Sequence, residues 1–192
     1  MTILILGLVL FLGVHSVRIF ADDWRTSTRA RIGEKAWKGI YTLISLLGFG
    51  LIIYGFGLAR QEPVLVWNPP MALRHVAILL IAIAIVLLTA SHVPRNGIKA
   101  RVHHPMILGV KTWALAHLLV NGRLHDIVLF GAFLLWAVLD FRSARQRDKI
   151  AGTVYPAGTG AATAITVVVG LAVFAVFAFV LHDPLIGVRP FP

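Results

Sequence analysis

Residues 71–90 read MALRHVAILLIAIAIVLLTA, and no charged side chain appears from Val76 to Ala90. A helix crosses the hydrocarbon core of a bilayer with about 20 apolar residues. A surface helix of a soluble domain would show a polar stripe every three or four residues, and this stretch has none. It reads as a membrane span. Working outward, five further stretches read the same way: Ile3–Phe20, Gly39–Ala59, Met106–Val120, Ile127–Phe141 and Ala161–Leu181. The whole composition agrees, with 58% hydrophobic and 14% charged residues in 192 and a mean hydropathy of +0.85. Soluble domains carry about 25% charged residues. The expected fold is therefore all-α, a polytopic transmembrane bundle of about six helices.

The fourth and fifth stretches are short and are joined by Asn121-Gly122-Arg123. They are expected to form a helical hairpin whose polar groups face protein rather than lipid. The linker Gln61–Pro70 contains Pro63, Pro69 and Pro70, which remove donors and force extended backbone; Trp67 suits an interfacial anchor. A second break at Gly152–Gly160 divides the chain into a five-helix core, 1–149, and a linker with a C-terminal helix, 150–192. The glycines of the second stretch, Gly48, Gly50, Gly55 and Gly57, point to close helix packing.

The formal charge of +10 is explained by where it falls. Arg18, Arg25, Arg29, Arg31, Lys35 and Lys38 follow the first span; Arg95, Lys99 and Arg101 follow the third; Arg142, Arg145, Arg147 and Lys149 follow the fifth. The opposite loops and tail hold Arg60, Arg74, Arg123 and Arg189, and Lys111 lies within the fourth span. The positive-inside rule then makes the three basic loops cytoplasmic and places both termini on the other side of the membrane. Nothing positive precedes the first apolar run, which argues against a cleaved signal peptide. The charge serves topology and anionic headgroups, so the partner is the lipid bilayer and not nucleic acid.

Six of the eight histidines, at 75, 92, 103, 104, 125 and 182, fall at or near span ends, where water or headgroups solvate them. His15 and His117 lie inside apolar spans. An ionisable side chain there costs about 2.5–3.5 kcal/mol at a helix centre on insertion scales, so each needs a partner: a neighbouring carbonyl, or a ligand. Trp113, His117 and Asn121 are spaced i, i+4, i+8, with Gly109 one step back offering a slot. His15 and Arg18 are spaced i, i+3. Imidazole, arginine and aromatic walls are what a haem requires: an axial ligand, a propionate partner and ring packing. A dinuclear iron site is excluded by spacing, because no two histidines stand three or four apart. A zinc ion among His92, His103 and His104 is a weaker alternative. No cysteine is present, so thiolate ligands and cysteine nucleophiles are excluded. All eight acids lie in loops or at span ends, which argues against a proton-driven transporter.

The run His104-Pro105-Met106-Ile107-Leu108-Gly109, followed by Trp113-Ala114-Leu115-Ala116-His117-Leu118-Leu119-Val120-Asn121-Gly122, resembles the NnrU family of bacterial integral membrane proteins. His15-Ser16 and the loop Trp67-Asn68-Pro69-Pro70 extend the resemblance over most of residues 1–149. It implies an association with nitrite and nitric oxide metabolism in denitrifying bacteria. The family is similar to the zeta-carotene isomerases, haem b enzymes whose ligands are taken to be the histidines of a His-Ser motif and a Trp-Cys-x-Ala-His motif. Those positions here are His15 and His117, which implies haem b on those two residues, with Arg18, Trp113 and Asn121 around it. Ala114 stands where the isomerase motif has cysteine. From the span boundaries, His15 lies about 18 Å below the outer end of its helix and His117 about 6 Å below its own, at about 1.5 Å per residue. The alternatives are a haem-dependent isomerase or redox enzyme acting on a hydrophobic small molecule, a lipid-soluble polyene or quinone, and a cofactor-free assembly partner.

Overall fold

The computed structural model describes residues 1–190, and the described residues are helical apart from turns and short linkers. The elements are α1 (Thr2–Phe20), α2 (Asp22–Ile32), α3 (Glu34–Ala59), α4 (Leu73–His92), α5 (Gly97–Val102), α6 (Pro105–Leu118), α7 (Leu124–Ala151), α8 (Gly160–Val176), a π-helical turn (Phe177–Leu181) and α9 (His182–Ile186). Four of these, α1, α3, α4 and α7, are long and apolar enough to cross a membrane, as is the continuous segment Gly160–Ile186. The fourth expected stretch is the fourteen-residue α6. At about 1.5 Å per residue it is about 21 Å long, the shortest of the six, and the chain runs on from it to Gly122, whose carbonyl accepts from Val66 and Trp67 of the linker after α3. The 28 residues of α7 reach about 42 Å, so its charged end, Arg142–Lys149, extends past a hydrocarbon core of about 30 Å.

Two of the expected basic loops are partly helical. Asp22 and Asp23 open α2, and Arg29 and Arg31 close it, an order that complements the helix dipole. In α5 the Asn96 side chain accepts from the Lys99 amide at 2.8 Å and its amide donates to the carbonyls of Ala90 and Val93. Asn96 is 1% exposed, so this short helix is tied to the end of α4 by a satisfied buried amide.

The helices fall into two compact units. The first comprises residues 1–69 and 121–143. Its core is Leu4, Leu8 and Ile52, with Phe11, Leu12, Phe56, Val128, Leu129 and Phe133 packed around them. Gly48 and Gly55, two helical turns apart, bring α3 against the backbone of α1, while Gly50 and Gly57 face open space. Close packing through small residues is the main route to helix association in lipid, and two of the five glycines in α3 serve it. The linker after α3 is extended: Val66 and Trp67 donate to the Gly122 carbonyl at 2.8 and 3.2 Å, and Leu124 donates to the Val64 carbonyl at 2.8 Å. A Cβ on Gly122 would overlap the Trp67 carbonyl oxygen, so only glycine closes this turn.

The second unit comprises residues 70–120 and 144 onward. There α4 packs on both α6 and α8. Gly109 meets Ala84 and Leu88 of α4, and Gly170 meets Val86. The slot expected beside Gly109 is therefore filled by α4.

Candidate functional site

His15 lies in the first unit, five residues before the end of α1. Its Nδ1 is 2.6 Å from the Phe11 carbonyl oxygen. That contact makes Nδ1 the protonated nitrogen and leaves the Nε2 lone pair to act as acceptor or ligand. The ring stands among aromatics, with centroids 4.3 Å from Phe11, 5.2 Å from Tyr41 and 6.1 Å, edge-on, from Trp136. The Trp136 Nε1 is buried and has no acceptor among the described residues. A buried N–H left without an acceptor costs about 1–3 kcal/mol, a cost removed when a bound group presents an oxygen there. Arg18 is exposed in the last turn of the same helix.

His117 lies in the second unit, next to the last residue of α6. It repeats the device: Nδ1 is 2.9 Å from the Trp113 carbonyl oxygen, and the Trp113 ring stands 5.1 Å away at 51°. Outer hydrogen bonds of this kind fix the tautomer and orientation of metal-binding histidines. The spacing Trp113 to His117 is thus realised as expected. It does not continue to Asn121, because α6 ends at Leu118 and Asn121 stands in the turn beyond it. His182, also in the second unit, has its Nδ1 2.7 Å from the Val188 carbonyl oxygen, and its ring meets Phe177 edge-on at 5.7 Å.

Two polar clusters were not foreseen. In the first unit, His125 and Asp126 are 2% and 7% exposed, not solvated as their place at a helix end suggested. Their side chains approach to 3.7 Å, and Phe56 covers the imidazole edge-on at 5.1 Å. In the second unit, Asp148 Oδ2 accepts from the Tyr155 hydroxyl at 2.7 Å and lies 2.8 Å from His104 Nε2. Arg145 donates to His103 Nδ1 at 2.7 Å, and the His103 and Tyr155 rings stack at 4.2 Å and 2°. These contacts hold His103 at a φ of 65°, a conformation that costs a non-glycine residue about 1–3 kcal/mol. Burial, and then the hydrogen bond to the Asp148 carboxylate, push the Tyr155 hydroxyl up to about 12. On the charged extension of α7, the Tyr155 hydroxyl and His104 hold Asp148 below the usual carboxylate range against the opposing effect of burial. Because His103 and His104 are engaged by Arg145 and Asp148, the zinc alternative gains no support. Among the described residues no three His, Asp or Glu side chains converge to hold a metal ion.

A family model described as NnrU protein matches residues 3–190, so the chain belongs to the NnrU family. The match runs through the C-terminal helix, beyond the stretch that carries the motifs. Comparison with curated proteins and with solved structures gave no match.

Proposed function

We propose that this NnrU-family membrane protein binds haem b through His15 or His117, and serves nitrite and nitric oxide metabolism in the bacterial inner membrane. One observation carries the haem reading. The two histidines placed inside apolar helices each turn Nδ1 onto the carbonyl four residues back and stand beside aromatic rings, which presents Nε2 as a ligand atom. The unpartnered Trp136 N–H beside His15 suits an oxygen of a bound group. Arg18 supplies a cation for carboxylates, Trp113 a wall for a flat ring, and Asn121 an amide near the α6 end. Haem, when bound, supplies a redox-active iron and a site for a diatomic ligand. The nitrogen-oxide assignment rests on the family. The thirteen basic residues that follow the first, third and fifth apolar stretches support a cytoplasmic placement of those segments and periplasmic termini.

The test is the absorbance spectrum of protein purified in detergent from cells supplied with haem, with extraction of the cofactor. A Soret band with about one haem per chain, perturbed by nitric oxide, is the expected result. A colourless, folded protein would favour the assembly-partner alternative, and turnover of a polyene or quinone would favour an enzyme.

A further inference from the structure

Between the membrane-length helices α1 and α3 lie the eleven residues of α2, all within the first unit. The 26 residues of α3 measure about 39 Å at about 1.5 Å per residue, more than a hydrocarbon core of about 30 Å. The excess falls at its charged start, Glu34, Lys35 and Lys38, which puts Trp37 at the headgroup layer. α2 is tied to that level: the Trp24 and Trp37 rings meet edge-on at 5.9 Å, and Arg29 lies 3.1 Å from Glu34. Its two faces differ. Trp24, Thr28 and Ile32 stand at i, i+4 and i+8, on one face, with Trp24 56% and Ile32 37% exposed. Thr26 and Ala30, about half a turn away, are exposed on the side of Arg29 and Glu34. Arg31 and Lys35, at the end of α2 and the start of α3, are exposed and have no acidic partner among the described residues; Glu34 is engaged by Arg29 and Lys38.

We propose that α2 lies in the plane of the bilayer surface, with Trp24, Thr28 and Ile32 turned into the boundary between headgroups and acyl chains, and Arg31 and Lys35 on anionic headgroups. An interfacial helix sinks its apolar face about 5–10 Å into that boundary, and tryptophan is the side chain that favours it. Eleven residues with so few apolar side chains would not hold to a membrane alone. α2 needs no affinity of its own, because α1 and α3 already keep it at the surface. The two cations without acidic partners add attraction to anionic lipid. Nothing in this inference depends on haem.

The test uses the absence of cysteine from the chain, which lets single variants carry one nitroxide label without background. Thr28→Cys and Ile32→Cys report the apolar face, and Thr26→Cys and Ala30→Cys the polar one, each in the full-length protein reconstituted into vesicles. Collisions with oxygen, which concentrates in lipid, are compared with collisions with a water-soluble nickel chelate. The oxygen-to-nickel ratio should be several-fold higher at 28 and 32 than at 26 and 30. That contrast should grow when equimolar phosphatidylglycerol is added to phosphatidylcholine vesicles, and adding Arg31→Gln and Lys35→Gln together should remove the growth. High nickel access at all four positions would overturn the proposal, because α2 would then project into water. So would low access of both reagents at 28 and 32, which would mean a face covered by protein. A contrast indifferent to phosphatidylglycerol in the chain that keeps Arg31 and Lys35 would overturn the headgroup assignment.

Discussion

A Cβ built on Gly48 would stand 2.7 Å from the backbone nitrogen of Phe11. The same Phe11 offers its carbonyl to His15, so the approach of α3 to α1 fixes the turn from which the imidazole is aimed. Gly48→Leu should therefore force the helices apart, at about 1–3 kcal/mol, and disturb any spectroscopic signal that depends on His15. Gly50→Ala faces open space and should be neutral or stabilising by about 0.5–1 kcal/mol. Thermal unfolding in detergent distinguishes the two. Equal behaviour of the variants would mean that the α1–α3 contact does not limit stability.

The Tyr155–Asp148 hydrogen bond predicts two pH effects of opposite sign. The Tyr155 hydroxyl titrates near 12 rather than near 10, so its contribution is complete below about pH 10 and lost as pH rises through about 12. The depressed Asp148 pKa contributes stability above the ordinary aspartate value of about 3.9, lost as pH falls below it. Phenolate absorbance should include a late step that is lost in Tyr155→Phe. A Tyr155→Phe titration identical to wild type would refute the contact.

Reporter fusions test the orientation. A periplasmic reporter should be active at the C-terminus, and a cytoplasmic one in the loops near Arg29, Lys99 and Arg145, because basic loops resist translocation. A C-terminal fusion active only in the cytoplasm would reverse the assignment for the last span.

Spans were legible in the sequence because lipid imposes a one-dimensional rule: length and apolarity suffice, as residues 71–90 show. An imidazole in an apolar run demands a partner for the same reason, and His15 and His117 each have a carbonyl four residues back. Contacts between distant positions left no such trace. His104 and Asp148 lie 44 residues apart, and no local pattern joins them. His125 looked solvated because its helix end is near the membrane surface; Phe56, contributed by α3, covers it. The face of Gly109 looked open because the sequence of α6 does not reveal that α4 fills it. Helical spacing alone puts Asn121 on the His117 face, but the helix stops short of it.

The most direct measurement is the haem spectrum and pyridine-haemochrome content of His15→Ala, His117→Ala and His182→Ala beside the wild type, each purified from haem-supplied cells. Alanine preserves helix propensity, so all three should insert. The account predicts that His117→Ala loses the haem or turns to a five-coordinate spectrum, that His15→Ala does likewise if it ligates the iron, and that His182→Ala stays close to wild type. Wild-type haem content and spectrum in both His15→Ala and His117→Ala would contradict the ligand assignment and leave the two imidazoles as buried hydrogen-bonding groups.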